Sequence, residues 1–368
     1  MGFHHSPRNI FLDDDLDLGL ITMISYDWPH NLFIGGIFVI ETDALMKLLG
    51  DEEGLGVPAL NVYLGQFQWP KGYASAKSIA ETGRVNGQMS EYLSLVPVLR
   101  EFLKMVPVGS AAQGACDSMR LLMDVVELLQ RAAVPGRVTG EALLEAILAH
   151  ARTQQRVYGN ALWLPKSHFN LHLSDVLGKW GFLLNTMPLE RKHKEIKRCA
   201  KDRESKIAFE KGLMEEITAG HLGRLSAMGP SRLDTLRLVD PKPPRTKVLE
   251  ILRGDFGRHL QPDNISVSRI AYIRSRAVHA GDACVYEHGE GASVGCVWLH
   301  VCIAGFFWSL VVPWAYESRD GACAKYIVHN TPEWRPASSI IESVIRSNAE
   351  DGQVSRVLIP PHMSLTLL

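Results

Sequence analysis

The 368-residue chain is 46% hydrophobic, enough for a large buried core and more than one domain. Its 39 Lys and Arg stand against 40 Asp and Glu, so there is no global field for nucleic acid and any basic surface has to be local. Six cysteines without a CxxC pair exclude a zinc ribbon and give no disulfide framework, which fits a reducing compartment, nuclear or cytoplasmic.

The start, MGFHHSPRNIFLDDDLD, is too polar and acidic for a signal peptide. Its acidic run, Asp13, Asp14, Asp15 and Asp17, reads as a solvated turn, with attraction of a cation as the alternative. Residues 19–26, GLITMISY, are rich in β-formers and predict a strand ending at Asp27. Residues 31–49 predict one helix that tolerates the Gly35-Gly36 pair. Residues 51–87, which include LGQFQWPKGY, predict no secure regular element. From 90 to 150 the spacing is helical. Leu93, Val96, Leu99, Leu103 and Val106 recur at 3/4 intervals, as do Met119, Leu122, Val126 and Leu129, and Thr139 is placed to cap the helix that follows. A long helix is expected over about 189–225, broken near Gly212.

Helical character stops at DPKPPRTK, 240–247, the best linker in the chain. Short β-rich runs follow at 283–286, 293–303, 306–313 and 324–328, with spacing that predicts a small barrel or sandwich. The apolar stretch VGCVWLHVCIAGFFWSLVVPWAY is read as two buried strands around a Gly turn, because His300, Gly305 and Ser309 interrupt it; no membrane span is expected.

Three groups of residues could carry chemistry. Asp27 and His30 stand at the seam of a strand and a helix, where α/β sheets expose reactive groups; the alternative is that Asp27 caps the helix, with Pro29 in its first turn. In PLERKHKEIKR, helical spacing puts Glu190, His193, Lys194 and Lys197 on one face. Glu190 could ligate a divalent cation while the lysines meet phosphates, or it could pair with Lys194 on a solvated face. Residues 190–211 hold nine basic and five acidic side chains, a reasonable phosphate-facing surface. His168 and His172 stand at i, i+4, a spacing able to bind zinc, or they pack without a metal. No Walker loop, GxSxG or GxGxxG in strand–helix context is present.

Two of these segments, taken together and in order, resemble CACTA-like and related eukaryotic DDE transposases. DWPHNLFIGGIF (27–38) is similar to their D-x-M-H-N-L-F-x-G segment, with Pro29 where the family has Met. PKSHFNLHLSDVLGKWGFLLNTMPLERKHKEIKR (165–198) is similar to their P-K-x-H-x-x-x-H-L…G…ERKH block. The resemblance spans about residues 12–225. It implies a partial RNase H-like core over 1–239 with a large helical insertion at about 50–160; with the linker at 240–247 and the β-rich runs as a small β-barrel-like domain at 248–368, the expected fold class is α/β, mainly helical. The resemblance also implies Asp27 and Glu190 as catalytic carboxylates and ligands of Mg2+, with His30, His168, His172 and His193 as motif companions. DNA would be the partner, met by Lys192, Lys194, Lys197, Arg198 and Lys201, and the β domain would recognise DNA or a chromatin protein. Only 26 residues precede Asp27, so the family's first aspartate has no clear counterpart. The expected function is therefore that of a transposon-derived protein, ancestrally a metal-dependent DNA strand-cleaving and strand-transferring enzyme and catalytically impaired here. The alternatives are a non-catalytic nucleic-acid-binding module and a helical protein-interaction scaffold.

Overall fold

The computed structural model describes residues 26–80, 83–183, 196–201, 209–227, 236–274, 276–289, 291–320, 323–328, 331–347 and 354–358. It is mainly helical with one large antiparallel sheet. The contacts divide the chain into two units: Met1–Glu41 with Asp117–Met187, and Thr42–Cys116 with Pro188–Leu368. The division falls inside two helices rather than at 240–247.

The first unit is helical. Its elements are α1 (Trp28–Phe33), the start of α2 (Ile37–Glu53), most of α5 (Gln113–Arg131), α6 (Gly140–Tyr158), α7 (Pro165–Leu171) and α8 (Leu173–Trp180). The single helix expected over 31–49 is two, because Gly35 adopts φ +54° and breaks the ladder. The apolar 3/4 spacing of α5 does what amphipathy requires: Met119, Leu122, Val126 and Leu129 are fully buried. Thr139 caps α6 as its position predicts, its hydroxyl accepting from the Ala142 N–H at 3.2 Å. Within this apolar packing sits a carboxylate, Glu41, with no exposed surface. It accepts from Ser118 Oγ at 2.6 Å, His150 Nε2 at 2.8 Å and Gln154 Nε2 at 2.6 Å. Three helices, α2, α5 and α6, are thereby pinned to one side chain.

The second unit holds the rest of α2, then α3 (Val57–Gly65), β1 (Phe67–Gln68) and α4 (Met89–Phe102). Residues 196–201 are helical, and α9 (Phe209–Ala227) carries Gly212 inside it rather than breaking there. The strands are β2 (Leu236–Leu238), β3 (Ile265–Ser268), β4 (Ile270–Ile273), β5 (Arg276–His279), β6 (Ala283–His288), β7 (Gly291–Ile303), β8 (Phe306–Asp320), β9 (Cys323–Val328), β10 (Glu333–Pro336), β11 (Ile340–Ser347) and β12 (Val354–Leu358). The stretch singled out for its apolar length is the β7–β8 hairpin, turned by Ala304 and Gly305 at φ 49° and 87°. No helix among the described residues is long and apolar enough to cross a membrane.

Pairings run β6–β7, β7–β8, β8–β9, β9–β12, β12–β11 and β11–β6, so six antiparallel strands return on themselves. Alternation decides what lies inside: Ala283 and Val285, Val294, Val312 and Trp314, Ala324 and Tyr326, Val344 and Val357 form one buried cluster, with every strand of the ring contributing. Bulges at 297/299 in β7, 316/318 in β8 and 340/342 in β11 supply the bends closure needs. Gly295 lets β7 approach β8, since a Cβ there would lie 2.6 Å from the Val312 carbonyl. Outside the ring, Cys284, Tyr286, Val297 and Val311 are covered by the small sheet β2–β4–β5. A helix that composition did not announce, α10 (Thr246–Phe256), packs Leu252 and Phe256 on the far ends of β7 and β8, where Phe256 meets Trp308 and Trp334 edge to face.

The segment 66–77, without a predicted element, is tied to this barrel. β1 pairs with β11, Lys71 N–H donates to Asp282 at 3.2 Å, and Arg276 donates to the Tyr73 hydroxyl at 2.8 Å. Lys242, inside the expected linker, exchanges backbone hydrogen bonds with Val267 at 2.8 and 2.9 Å. The barrel therefore draws backbone partners from both sides of 240–247. All strand pairings among the described residues are antiparallel, and none assembles an RNase H-like sheet around Asp27. The strand expected at 19–25 and the segment holding Glu190, Lys192, His193 and Lys194 lie outside the described residues, as do Asp13, Asp14, Asp15 and Asp17.

Two predictions follow from the buried polar groups. Glu41→Ala leaves three buried donors without their acceptor and should cost about 3–5 kcal/mol, against about 1–3 kcal/mol for Glu41→Gln; denaturant midpoints of the two variants check the order. The second concerns His300 in β7, which has no exposed surface. Its Nε2–H donates to the Val278 carbonyl at 3.1 Å, so its Nδ1 accepts from the Ser309 hydroxyl at 2.8 Å. Burial pushes its pKa down to about 4 from 6.5; the bond to Val278 opposes the shift and nearby His279 adds to it. Between these values the unfolded chain takes up a proton and the folded chain does not, so stability is full above 6.5 and falls as pH drops toward 4. The share lost between pH 7 and pH 5 is about 2 kcal/mol. Urea midpoints at the two pH values should differ by this amount more in the native chain than in His300→Gln.

Candidate functional site

The two segments that carry the resemblance pack on each other in the first unit. α1 lies against α7, although 136 residues separate His30 from Lys166. Both helices are short, so their positions depend on burial rather than on intrinsic helicity. α1 buries Trp28, Leu32 and Phe33, and Phe33 stacks on Phe38 of α2 at 5.2 Å. Lys166 enters at the C-terminal end of α1, where its amino group donates to the carbonyls of His30, at 3.2 Å, and Ile34. A cation at a helix C-terminus satisfies carbonyls that have no intrahelical donor.

Asp27 occupies the N-cap position of α1, with extended backbone at φ −81°, ψ 98°. Its side chain makes no cap bond; Oδ2 instead meets Nδ1 of His30, one turn along. The N-terminal turn is closed by the backbone, Asn31 N–H to the Asp27 carbonyl at 3.1 Å. Beside Asp27, the Tyr26 ring stacks on Phe169 and on His172, each at 5.3 Å between centroids. His172 in turn meets His168, with 3.2 Å between their Nε2 atoms, and its Nδ1 lies 3.6 Å from Asp175 Oδ2. Asp27, His30, His168 and His172 are thus gathered on one pair of packed helices. Glu190 and His193 lie outside the described residues, as do Lys192 and Lys194; Lys197, Arg198 and Lys201 are exposed on the helical residues 196–201 of the second unit.

This donor set does not suit magnesium. That ion demands oxygen ligands in near-octahedral geometry. Asp27 brings one carboxylate, already engaged by His30; the other side-chain donors on the helix pair are the imidazoles of His30 and His168 and the neutral oxygens of Asn31, Ser167 and Asn170, with His172 and the exposed Asp175 carboxylate just beyond α7. Among the described residues no three His, Cys, Asp or Glu side chains group as a metal site.

Sequence reasoning missed Glu41 and a second concave site. Glu41 sits in IFVIETDALMKLL, where a lone acid on an apolar helix face is the signal that could have found it. The concave site, a cavity of about 510 Å3 in the second unit, is lined by Lys104, Arg319, Lys325 and Arg356 against Glu101 and Asp320. Lys104 bonds Glu101 at 2.9 Å and Asp320 at 2.6 Å across this lining. Burial pushes the Cys323 thiol in its wall up to about 11, so this cysteine is an inert thiol at neutral pH. No family model, curated protein or solved structure matches the chain.

The placement of the helix pair hangs on Gly36. A Cβ there would lie 2.1 Å from the Asn31 carbonyl oxygen of α1. Gly36→Ala must push α1 away from α2 and should cost about 3 kcal/mol, read as a fall in melting temperature. An unchanged melting temperature would mean that α1 is not held where described.

Proposed function

We propose that the chain descends from an RNase H-like DDE transposase, that its strand-cleaving chemistry is impaired, and that it retains contact with nucleic acid. The observation that carries this reading is the packing of α1 on α7. Two motifs that resemble the same family meet in one place, with Asp27, His30, His168 and His172 among their side chains. Two-metal strand cleavage needs several carboxylates to hold two ions about 4 Å apart at the reacting phosphate. The described residues supply one, in an imidazole-rich setting. Magnesium would need Glu190 and a further acid to join Asp27.

Contact with DNA is assigned to Lys197, Arg198 and Lys201, exposed at successive helical positions. Such contacts act through phosphates and weaken with salt. A non-catalytic nucleic-acid-binding module is the second reading, favoured by the same residues.

Purified protein should show no plasmid nicking with magnesium or manganese. It should bind duplex DNA with an affinity that falls as salt rises, and replacing Lys197, Arg198 and Lys201 together by Gln should flatten that dependence. Nicking that disappears in Glu190→Gln would show an intact catalytic centre. Absence of salt-dependent binding would remove both readings and leave a protein-interaction scaffold.

A further inference from the structure

His168, which is exposed, and His172, which is partly buried, lie one turn apart with 3.2 Å between their Nε2 atoms. With one Nε2 protonated the pair makes a bent N–H···N hydrogen bond; with both bare, two lone pairs aim at one point, and the ring positions suit an ion there. A near-linear hydrogen bond of this length holds the ring centroids about 5.5 Å apart. Two imidazole nitrogens each ~2.05 Å from a shared ion subtend about 100° at it and hold the centroids about 5.0 Å apart. The observed separation is 4.9 Å, with the rings nearly perpendicular at 85°.

We propose that His168 and His172 form a chelating pair for a transition-metal dication of the zinc class. Ligation through both Nε2 atoms puts the remaining proton of each ring on Nδ1. For His172 that nitrogen faces the Asp175 carboxylate at 3.6 Å, the side on which acids orient ligating imidazoles. Tyr26, stacked on His172 with 18° between planes, fixes the ring before any ion arrives. Imidazole nitrogen selects zinc, nickel or copper over magnesium. Among the described residues no third ligand groups with the pair, so these residues supply two of the four tetrahedral positions. This proposal rests on the geometry of the pair and not on the transposase reading, so either can fail alone.

The test is calorimetric titration of the full, metal-stripped chain with zinc chloride near neutral pH, repeated with magnesium chloride. A single equivalent of zinc should bind saturably, and the melting temperature should rise with free zinc concentration; millimolar magnesium should do neither. His168→Ala and His172→Ala should each weaken zinc at least about tenfold, and the exposed His221→Ala should leave it unchanged. His168→Asn and His172→Asn, closer in volume and polarity, repeat the test should an alanine variant fold poorly. No saturable zinc binding, or binding that survives replacement of both histidines, overturns the proposal.

Discussion

Glu41 sets the terms for the helical unit. A carboxylate with no exposed surface is tolerated only where donors replace the water it has lost. Here the donors come from Ser118, His150 and Gln154, so α2, α5 and α6 have to arrive in one arrangement to meet it. Leucine and methionine contacts along α5 would accept small slides between helices at little cost. Three hydrogen bonds to one side chain do not, and they convert an amphipathic bundle into a unit with a defined register. α1 and α7 then take their places on a frame that is already fixed.

Closure plays the corresponding part in the β-rich unit. An open sheet of these strands would expose unpaired backbone along β6 and β11. Bulges in β7, β8 and β11, with Gly295 at the close approach to β8, bend the strands until β11 meets β6. The small interior this creates is filled by one residue or by two residues two apart from each strand, from Ala283 to Val357. Its outer face is still apolar at Tyr286, Val297 and Val311, which explains why a second sheet and α10 are needed as covers.

The helix pair that gathers Asp27, His30, His168 and His172 shows how far a motif can be carried by likeness alone. The resemblance implies a magnesium site built from carboxylates. The side chains brought together are mainly nitrogen donors, and the one aspartate of the motif is spent on its neighbouring histidine. Ligand chemistry, rather than motif order, therefore decides which cation this place can hold.

The sequence by itself determined the elements whose cause is local. Helical spacing of apolar residues marked α4, α5 and α6, Thr139 marked a start, and β-branched runs around Ala304-Gly305 marked the β7–β8 hairpin. Each depends on neighbours a few residues away, so each is written in the chain order. The short strands β1 to β5 and the helix α10 are too brief, or too mixed in composition, to carry a period, and the break at Gly35 was hidden because glycine is compatible with both a helix and its end. Only the tertiary structure decided that Glu41 meets donors up to 113 residues away and that β1 joins β11. Pairings of that kind follow from which buried groups remain to be satisfied once the chain has collapsed, and no local pattern records them.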